Sequence, residues 1–173
     1  PDTSVSRGAA LETESVLIGL HAGRFAEWGL RWLYFLSGVG GTIMVGSGLV
    51  LWTVKRRARL PDPERPHFGF RLVERLNVAA IAGLGAGLAT YFLANRLLPL
   101  RMEARADWEV HSLFVAWGAV LLWALVRPAQ RAWIEALALA ALLFAAVPFV
   151  NALTTPRNLF ASLAAGEWLF VAF

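Results

Sequence analysis

Long apolar segments alternate with short polar ones along most of the chain. The apolar segments cover about residues 28–54, 76–98, 110–126, 132–152 and 159–173. The first four are long enough for an α-helix to cross the hydrocarbon core of a bilayer, which takes about 20 residues. The last has only about 15, so we expect it to be truncated. This pattern predicts an all-α fold: a polytopic transmembrane helical bundle with four full spans and a truncated fifth.

The two ends of the chain lead us to expect a segment of a longer protein, cut inside its last helix. The chain opens with Pro1 and a polar stretch that extends to Glu14, without an initiator Met or a signal peptide. It closes on Phe173 with no polar flank. We divide it into residues 1–27, an extracytoplasmic segment leading into the membrane, and residues 28–173, the helical bundle. The alternative is a full-length chain with a short re-entrant end.

The composition supports a membrane protein and limits its cofactors. Hydrophobic residues make up 58% of the chain and charged residues 16%, against about 45–50% and 25% in ordinary globular domains. The absence of Cys excludes disulfides, cysteine-bound iron–sulfur clusters, thiolate zinc sites and covalent haem attachment. Any metal or haem must therefore be held by His, Met, Tyr or carboxylate side chains.

Basic residues are distributed unevenly between the two sides of the predicted bundle. The segment Lys55–Arg75 carries seven Lys or Arg residues, and Arg127 and Arg131 add two on the same side. The other side carries Arg96, Arg101, Arg105 and Arg157. Because cytoplasmic loops are enriched in Lys and Arg, we predict that Lys55–Arg75 is cytoplasmic and that Pro1–Glu27 and Leu97–Glu109 lie outside. This bias accounts for the net charge of +4 without nucleic acid, which we exclude as a partner.

Small residues recur at helical spacing in the first two spans. Gly38, Thr42 and Gly46 lie four residues apart in the first span, and Gly83 and Gly87 form a G-x-x-x-G motif in the second. Small residues at this spacing let two helices approach closely in lipid. We predict close contacts within one bundle rather than a homodimer interface, and a packing motif rather than a phosphate-binding loop.

Three histidines are the candidate ligands for a metal or haem. His21 lies just before the first span and His111 lies at the start of the third, so the predicted topology places both near the outer face. His67 lies in the basic loop on the other side. Two histidines from different helices could bind one haem iron from opposite faces through neutral imidazole nitrogens. The alternative is that each histidine is an interfacial polar residue.

Other polar residues in the spans have simpler interpretations. Arg31, near the start of the first span, could face the propionates of a haem on the outer side. Glu135 and Arg96 lie close enough to an interface to reach water. Asn77, Asn95 and Asn151 are expected to bridge helices by hydrogen bonds. The sequence contains no G-x-S-x-G, H-E-x-x-H or P-loop motif, so nothing in it points to a hydrolase.

Several motifs resemble the PepSY-associated transmembrane family. An H-x-G-x-F segment, His21–Phe25, precedes the first span. The span itself carries a glycine-rich segment, Leu36–Gly41, and a G-x-x-x-W segment, Gly48–Trp52, and the basic residues Lys55–Arg57 follow it. Three later segments are similar to the longer branch of that family: Glu74–Asn77, Ala94–Pro99 and Trp108–Phe114. The resemblance covers roughly residues 20–155.

The resemblance implies a multi-pass protein of the bacterial inner membrane with a PepSY region before the first span. The family includes iron-uptake reductases that pass electrons through b-type haem to ferric siderophores. By this resemblance the chain is a haem-containing electron-transfer protein and a possible ferric-chelate reductase. His21 matches the motif histidine and is the first candidate haem ligand, and His111 is the second by position. The expected partners are the lipid bilayer, a ferric siderophore and further subunits of a membrane complex.

Two other functions stay open at this point. A non-catalytic scaffold or accessory subunit of a larger membrane complex would explain the glycine-rich faces and the few buried polar residues. A transporter for iron or small molecules is less well supported, because transport sites usually need broken helices at the bilayer midplane. The only proline interruption inside a predicted span, Pro148, lies near the end of its span.

Overall fold

The structure is a computed structural model that describes residues 9–21, 23, 27–156 and 158–167. In this part of the chain every regular element is helical. The elements are α1 (Ala9–His21), α2 (Trp28–Arg57), α3 (Phe68–Val78), a π-helix (Ala79–Gly83), α4 (Leu84–Leu97), α5 (Arg105–Val126), α6 (Ala129–Thr154) and α7 (Leu159–Ala164). The chain divides into two compact units, Pro1–Leu49 and Val50–Phe173, which we call unit 1 and unit 2.

Four helices among the described residues are long and apolar enough to cross a membrane. They are α2, the continuous helix Phe68–Leu97 that contains α3, the π-helix and α4, and then α5 and α6. The prediction of an all-α, multi-pass membrane fold is therefore confirmed. The division into an extracytoplasmic segment and a bundle stays a prediction.

The second spanning helix begins at Phe68, well before the apolar segment that starts near Leu76. Its first turns are amphipathic, because Phe70 is buried while Arg71 is exposed. His67 occupies the N-cap position, and its Nδ1 accepts a hydrogen bond from the backbone N–H of Phe70 at 3.2 Å. Such a cap satisfies one of the free N–H groups at a helix start. A pattern of apolar residues detects only the part of a helix that lies in lipid. The sequence therefore predicted that the second spanning helix begins near Leu76, whereas it begins at Phe68.

The predicted fifth span, residues 159–173, is a short helix in the described part of the chain. The side chain of Asn158 caps α7 by accepting a hydrogen bond from the N–H of Ala161 at 3.1 Å. The helix ends at Ala164, and Gly166 has a φ of +72°. Glycine in the left-handed conformation is a common helix end. Residues 168–173, the rest of that predicted span, lie outside the described residues.

Small side chains form most of the core of unit 2. The buried apolar cluster contains Val78, Val120 and alanines from four elements, at positions 82, 86, 124, 132, 136 and 140. Alanine allows the helix backbones to approach closely, which is how helices gain packing energy in a membrane.

The G-x-x-x-G motif of the second spanning helix packs against α5. A Cβ atom placed on Gly87 would lie 3.0 Å from the backbone oxygen of Leu113, and one on Gly83 would lie 3.1 Å from Cγ1 of Val120. The prediction that these glycines permit close helix contact is confirmed. In unit 1, no described atom of that unit lies within 4 Å of a Cβ placed on Gly38, Gly40 or Gly41. The packing role of the first-span glycines stays a prediction.

Candidate functional site

His67 is engaged in the local structure of the loop that leads into α3. Its Nδ1 is the acceptor of the N-cap hydrogen bond, and its ring lies 6.3 Å from that of Phe70. The imidazole nitrogen that accepts this bond is not available to a metal while the cap is formed. Of the three histidines, this is the one to which the structure gives a clear structural role.

His111 lies in the second turn of α5 and is exposed. Its ring centroid lies 5.6 Å from that of Trp108, with an angle of 59° between the ring planes. Val115 and Gly118 follow it at helical spacing on the same face of α5. Val115 is exposed, and a Cβ added to Gly118 would meet no atom within 4 Å. The imidazole therefore belongs to an open, largely apolar helix face.

His21 is the last residue of α1 and is exposed, and Arg31 lies in the first turn of α2 and is also exposed. Both belong to unit 1, whereas His111 belongs to unit 2. The structure therefore leaves their pairing as a prediction. Residues 22, 24 and 25 of the H-x-G-x-F segment lie outside the described residues. Across the described ranges, no group of three or more His, Asp or Glu side chains is placed to hold a metal ion.

A buried carboxylate joins α4 and α5 at the end of the bundle where α5 begins. The side chain of Glu109 is 9% exposed, and its Oε1 lies 3.1 Å from Nη1 of Arg105. Its Oε2 accepts a hydrogen bond from Nδ2 of Asn95 at 3.1 Å. Arg105 also donates to the backbone oxygens of Asn95 and Leu98. These bonds satisfy the buried charge and fix the loop between the two helices.

Glu109 was not among the residues predicted from the sequence. Asn95 was predicted to bridge two helices, and its hydrogen bond to Glu109 confirms that. The spacing of four residues between Arg105 and Glu109 is typical of an ion pair on one helix face, and it was the signal that could have revealed the pair. Asn77 also bridges helices as predicted, because its Nδ2 donates to Oγ1 of Thr53 at 2.8 Å. Asn151 differs, since its buried Oδ1 has no hydrogen-bond partner among the described residues.

A second polar cluster joins α5 and α6 near the opposite end. Glu135 accepts a hydrogen bond from Nε1 of Trp123 at 2.7 Å, and its Oε2 lies 3.5 Å from Nε of Arg127. The guanidinium of Arg127 lies 4.3 Å from the centre of a Trp123 ring, which is within cation–π range. Glu135 is thus held by Trp123 of α5 and by Arg127, the C-cap residue of that helix, which agrees with its interpretation as an interfacial charge.

The basic loop is tied to the start of the second spanning helix. Nη1 of Arg57 lies 2.7 Å from Oε1 of Glu74, and Nε of Arg57 donates to the backbone oxygen of Pro63 at 3.3 Å. Within the loop, the carboxylate of Asp62 accepts hydrogen bonds from the N–H groups of Glu64 and Arg65 at 3.0 and 3.1 Å. The loop therefore folds back on α3 in a defined conformation.

Comparison with known proteins supports the resemblance drawn from the sequence. Residues 2–55 match the family described as the PepSY-associated TM region. The uncharacterized protein PA4219 of Pseudomonas aeruginosa is 33% identical to this chain over 132 residues, which cover 73% of this chain and 32% of the relative. This chain thus spans about a third of the relative's length. No solved structure matches the chain.

Proposed function

We propose that this chain, a multi-pass membrane protein of the PepSY-associated transmembrane family, holds a b-type haem and passes electrons to a ferric siderophore or a similar ferric chelate outside the cytoplasm. His21 and His111 are the two haem ligands of the proposal, and Arg31 is the cation that faces the propionates. The single observation that carries it concerns the three histidines, all of which are exposed: Nδ1 of His67 accepts the N-cap hydrogen bond of α3, whereas His21 ends α1 and His111 lies in the second turn of α5.

The residues around His111 form an apolar surface that is chemically suited to a porphyrin. A flat, apolar macrocycle needs an apolar surface beside its axial ligand, and the α5 face around His111 offers Trp108 and Val115. The missing side chain at Gly118 leaves this face free of protrusions. Neutral imidazole is the usual nitrogen ligand of haem iron.

The order of the spanning helices supports a shared site. If α2, the helix Phe68–Leu97 and α5 each cross the bilayer once, the chain before α2 and the start of α5 emerge on the same side. His21 precedes α2, and His111 lies near the start of α5. The segment Lys55–Arg75 lies on the other side, and its excess of basic residues assigns that side to the cytoplasm. Both imidazoles are therefore expected at the non-cytoplasmic surface of the membrane.

The chemistry of the proposal is a one-electron transfer. A bound haem would supply the redox couple, and the acceptor iron would change from ferric to ferrous, which weakens its hold in a siderophore. The residues of this chain would bind the macrocycle, limit access of water and set the potential through the imidazole ligands and nearby charge. Arg31 would compensate the negative charge of the propionates.

The test is the haem content of the full-length protein, purified from haem-replete cells. We expect a reduced-minus-oxidised difference spectrum of b-type haem, which is lost or strongly reduced in His21→Ala and in His111→Ala. His67→Asn is the matched control, because Asn can also accept the N-cap hydrogen bond and so should leave the haem content unchanged. A haem-free wild-type protein, or equal losses in all three variants, would overturn the proposal and leave the accessory-subunit function as the stronger candidate.

A further inference from the structure

A second candidate site, independent of haem, lies at the basic end of unit 2, where α2 ends and α3 and α6 begin. Two cavities of about 590 and 670 Å³ are present there. Both are lined by Arg57, Glu74, Ala129 and Gln130, so they are neighbouring chambers of one cleft. We call them the apolar chamber and the basic chamber.

The apolar chamber is suited to a hydrocarbon chain. Its walls include Val50, Val54 and Trp133. Its lining also includes two uncharged polar residues, Thr53 of α2 and Asn77 of α3, whose side chains are joined by a hydrogen bond of 2.8 Å. Since these groups bind each other, the chamber can accept an apolar ligand without leaving their shared donor and acceptor unpaired.

The basic chamber carries an excess of positive charge. Four arginines and two glutamates line it: Arg57, Arg65, Arg71, Arg75, Glu64 and Glu74. Glu74 is paired with Arg57 at 2.7 Å. Apart from this pair, the chamber has three arginines and one carboxylate. Its net charge is therefore positive, which attracts an anion.

The start of α6 adds to this attraction. Pro128, Ala129 and Gln130 line the basic chamber, and Pro128 is an N-cap residue that provides no side-chain hydrogen bond. The first N–H groups of a long helix carry partial positive charge and can bind a phosphate oxygen. The arginines and the helix start therefore favour the same kind of ligand.

We propose that this cleft binds an anionic phospholipid, with its phosphate in the basic chamber and part of an acyl chain in the apolar chamber. The charge of the basic chamber requires the anion, and the adjoining apolar chamber distinguishes a lipid from a soluble phosphate. Basic pockets between spanning helices are a known mode of anionic lipid recognition. Among the described residues no histidine lines the cleft, so the lipid proposal can be tested independently of the proposed electron-transfer function.

The test is a binding titration of the purified full chain in a neutral detergent, followed by native mass spectrometry. The ligands are phosphatidylglycerol, phosphatidylcholine with the same acyl chains, and inorganic phosphate. We expect phosphatidylglycerol to bind at least about tenfold more tightly than phosphatidylcholine, with a loss of affinity at high salt. Equal affinity for the two lipids would overturn the proposal, as would displacement of phosphatidylglycerol by an equal concentration of inorganic phosphate.

Two pairs of variants assign the binding to the cleft. The triple variant Arg65→Gln, Arg71→Gln and Arg75→Gln should weaken phosphatidylglycerol binding at least about tenfold, since each basic residue contributes to attraction of the headgroup. Its control, Arg56→Gln with Arg59→Gln, changes arginines of the same segment that do not line the cleft and should change affinity less than about threefold. An equal loss in the control would contradict the assignment.

The second pair leaves the charge unchanged. Ala129→Leu fills the boundary between the two chambers and should reduce lipid binding, while Ala138→Leu on the exposed surface of α6 should not. If the triple variant fails to fold, Ala129→Leu and the salt dependence of the wild-type protein still decide the outcome. Unchanged binding in Ala129→Leu would overturn the proposal.

Discussion

Trp117 donates its indole N–H to the backbone oxygen of Ala79, at a distance of 2.8 Å. Ala79 is the first residue of the π-helix in the middle of the second spanning helix. A π-helix disturbs the regular ladder of backbone hydrogen bonds, and here the backbone N–H of Leu84 also donates to the oxygen of Ala79. Trp117 of α5 supplies an additional donor at that position and so joins the irregular segment to its neighbour.

We predict that Trp117→Phe lowers the free energy of unfolding by about 1 kcal/mol, because it removes an interhelical hydrogen bond but keeps an aromatic ring. The measurement is unfolding in mixed detergent, followed by circular dichroism. Trp52→Phe, at an exposed position of α2, is the control and should change the unfolding free energy little. Equal effects of the two substitutions would show that the bond to Ala79 contributes nothing measurable.

Gly87 and Gly118 provide a matched pair for testing the packing of α4 on α5. An added methyl group would lie 3.0 Å from the backbone oxygen of Leu113 at Gly87, but would meet nothing within 4 Å at Gly118. We predict that Gly87→Ala destabilises the protein by about 1–3 kcal/mol, since backbone must move to admit the methyl group. Gly118→Ala should be neutral or slightly stabilising, because Ala favours the helix. Thermal unfolding in detergent distinguishes the two, and a stable Gly87→Ala protein would refute the close contact.

The buried carboxylate of Glu109 should depend on its partners. Glu109→Leu leaves Arg105 without its ion pair and Asn95 without its acceptor, and we expect a loss of about 2 kcal/mol in the free energy of unfolding. The double variant Arg105→Gln with Glu109→Gln should lose less than the sum of its single substitutions, because the two residues interact. Additive losses in this double-mutant cycle would contradict the ion pair.

Much of the fold follows from the sequence, because the interior of a bilayer imposes a strong pattern. Four spans, the helix-packing role of Gly83 and Gly87 and the bridging role of Asn95 are all visible in the residues alone. The start of the second spanning helix at Phe68 is not, since the amphipathic turns that precede the lipid contain charged residues. The π-helix is hidden for a different reason: its residues, Ala79–Gly83, are as apolar as those of any regular span.

The candidate sites were predictable only in part. The three histidines and the basic character of Lys55–Arg75 can be read from the sequence, but the capping role of His67 depends on where α3 begins. The cleft at the basic end of unit 2 depends on a tertiary contact, because the start of α6 at Ala129 must lie beside the basic loop. Such proximity between distant segments has no local signal in the sequence.

The proposed pair of haem ligands is tested most directly by the electron paramagnetic resonance spectrum of the oxidised full-length protein. Two imidazole ligands predict a low-spin ferric haem. In His111→Ala we expect either loss of haem or conversion to a high-spin form with one imidazole, while His67→Asn should keep the wild-type spectrum. A low-spin spectrum that is unchanged in His111→Ala would contradict the assignment of His21 and His111 as the ligand pair.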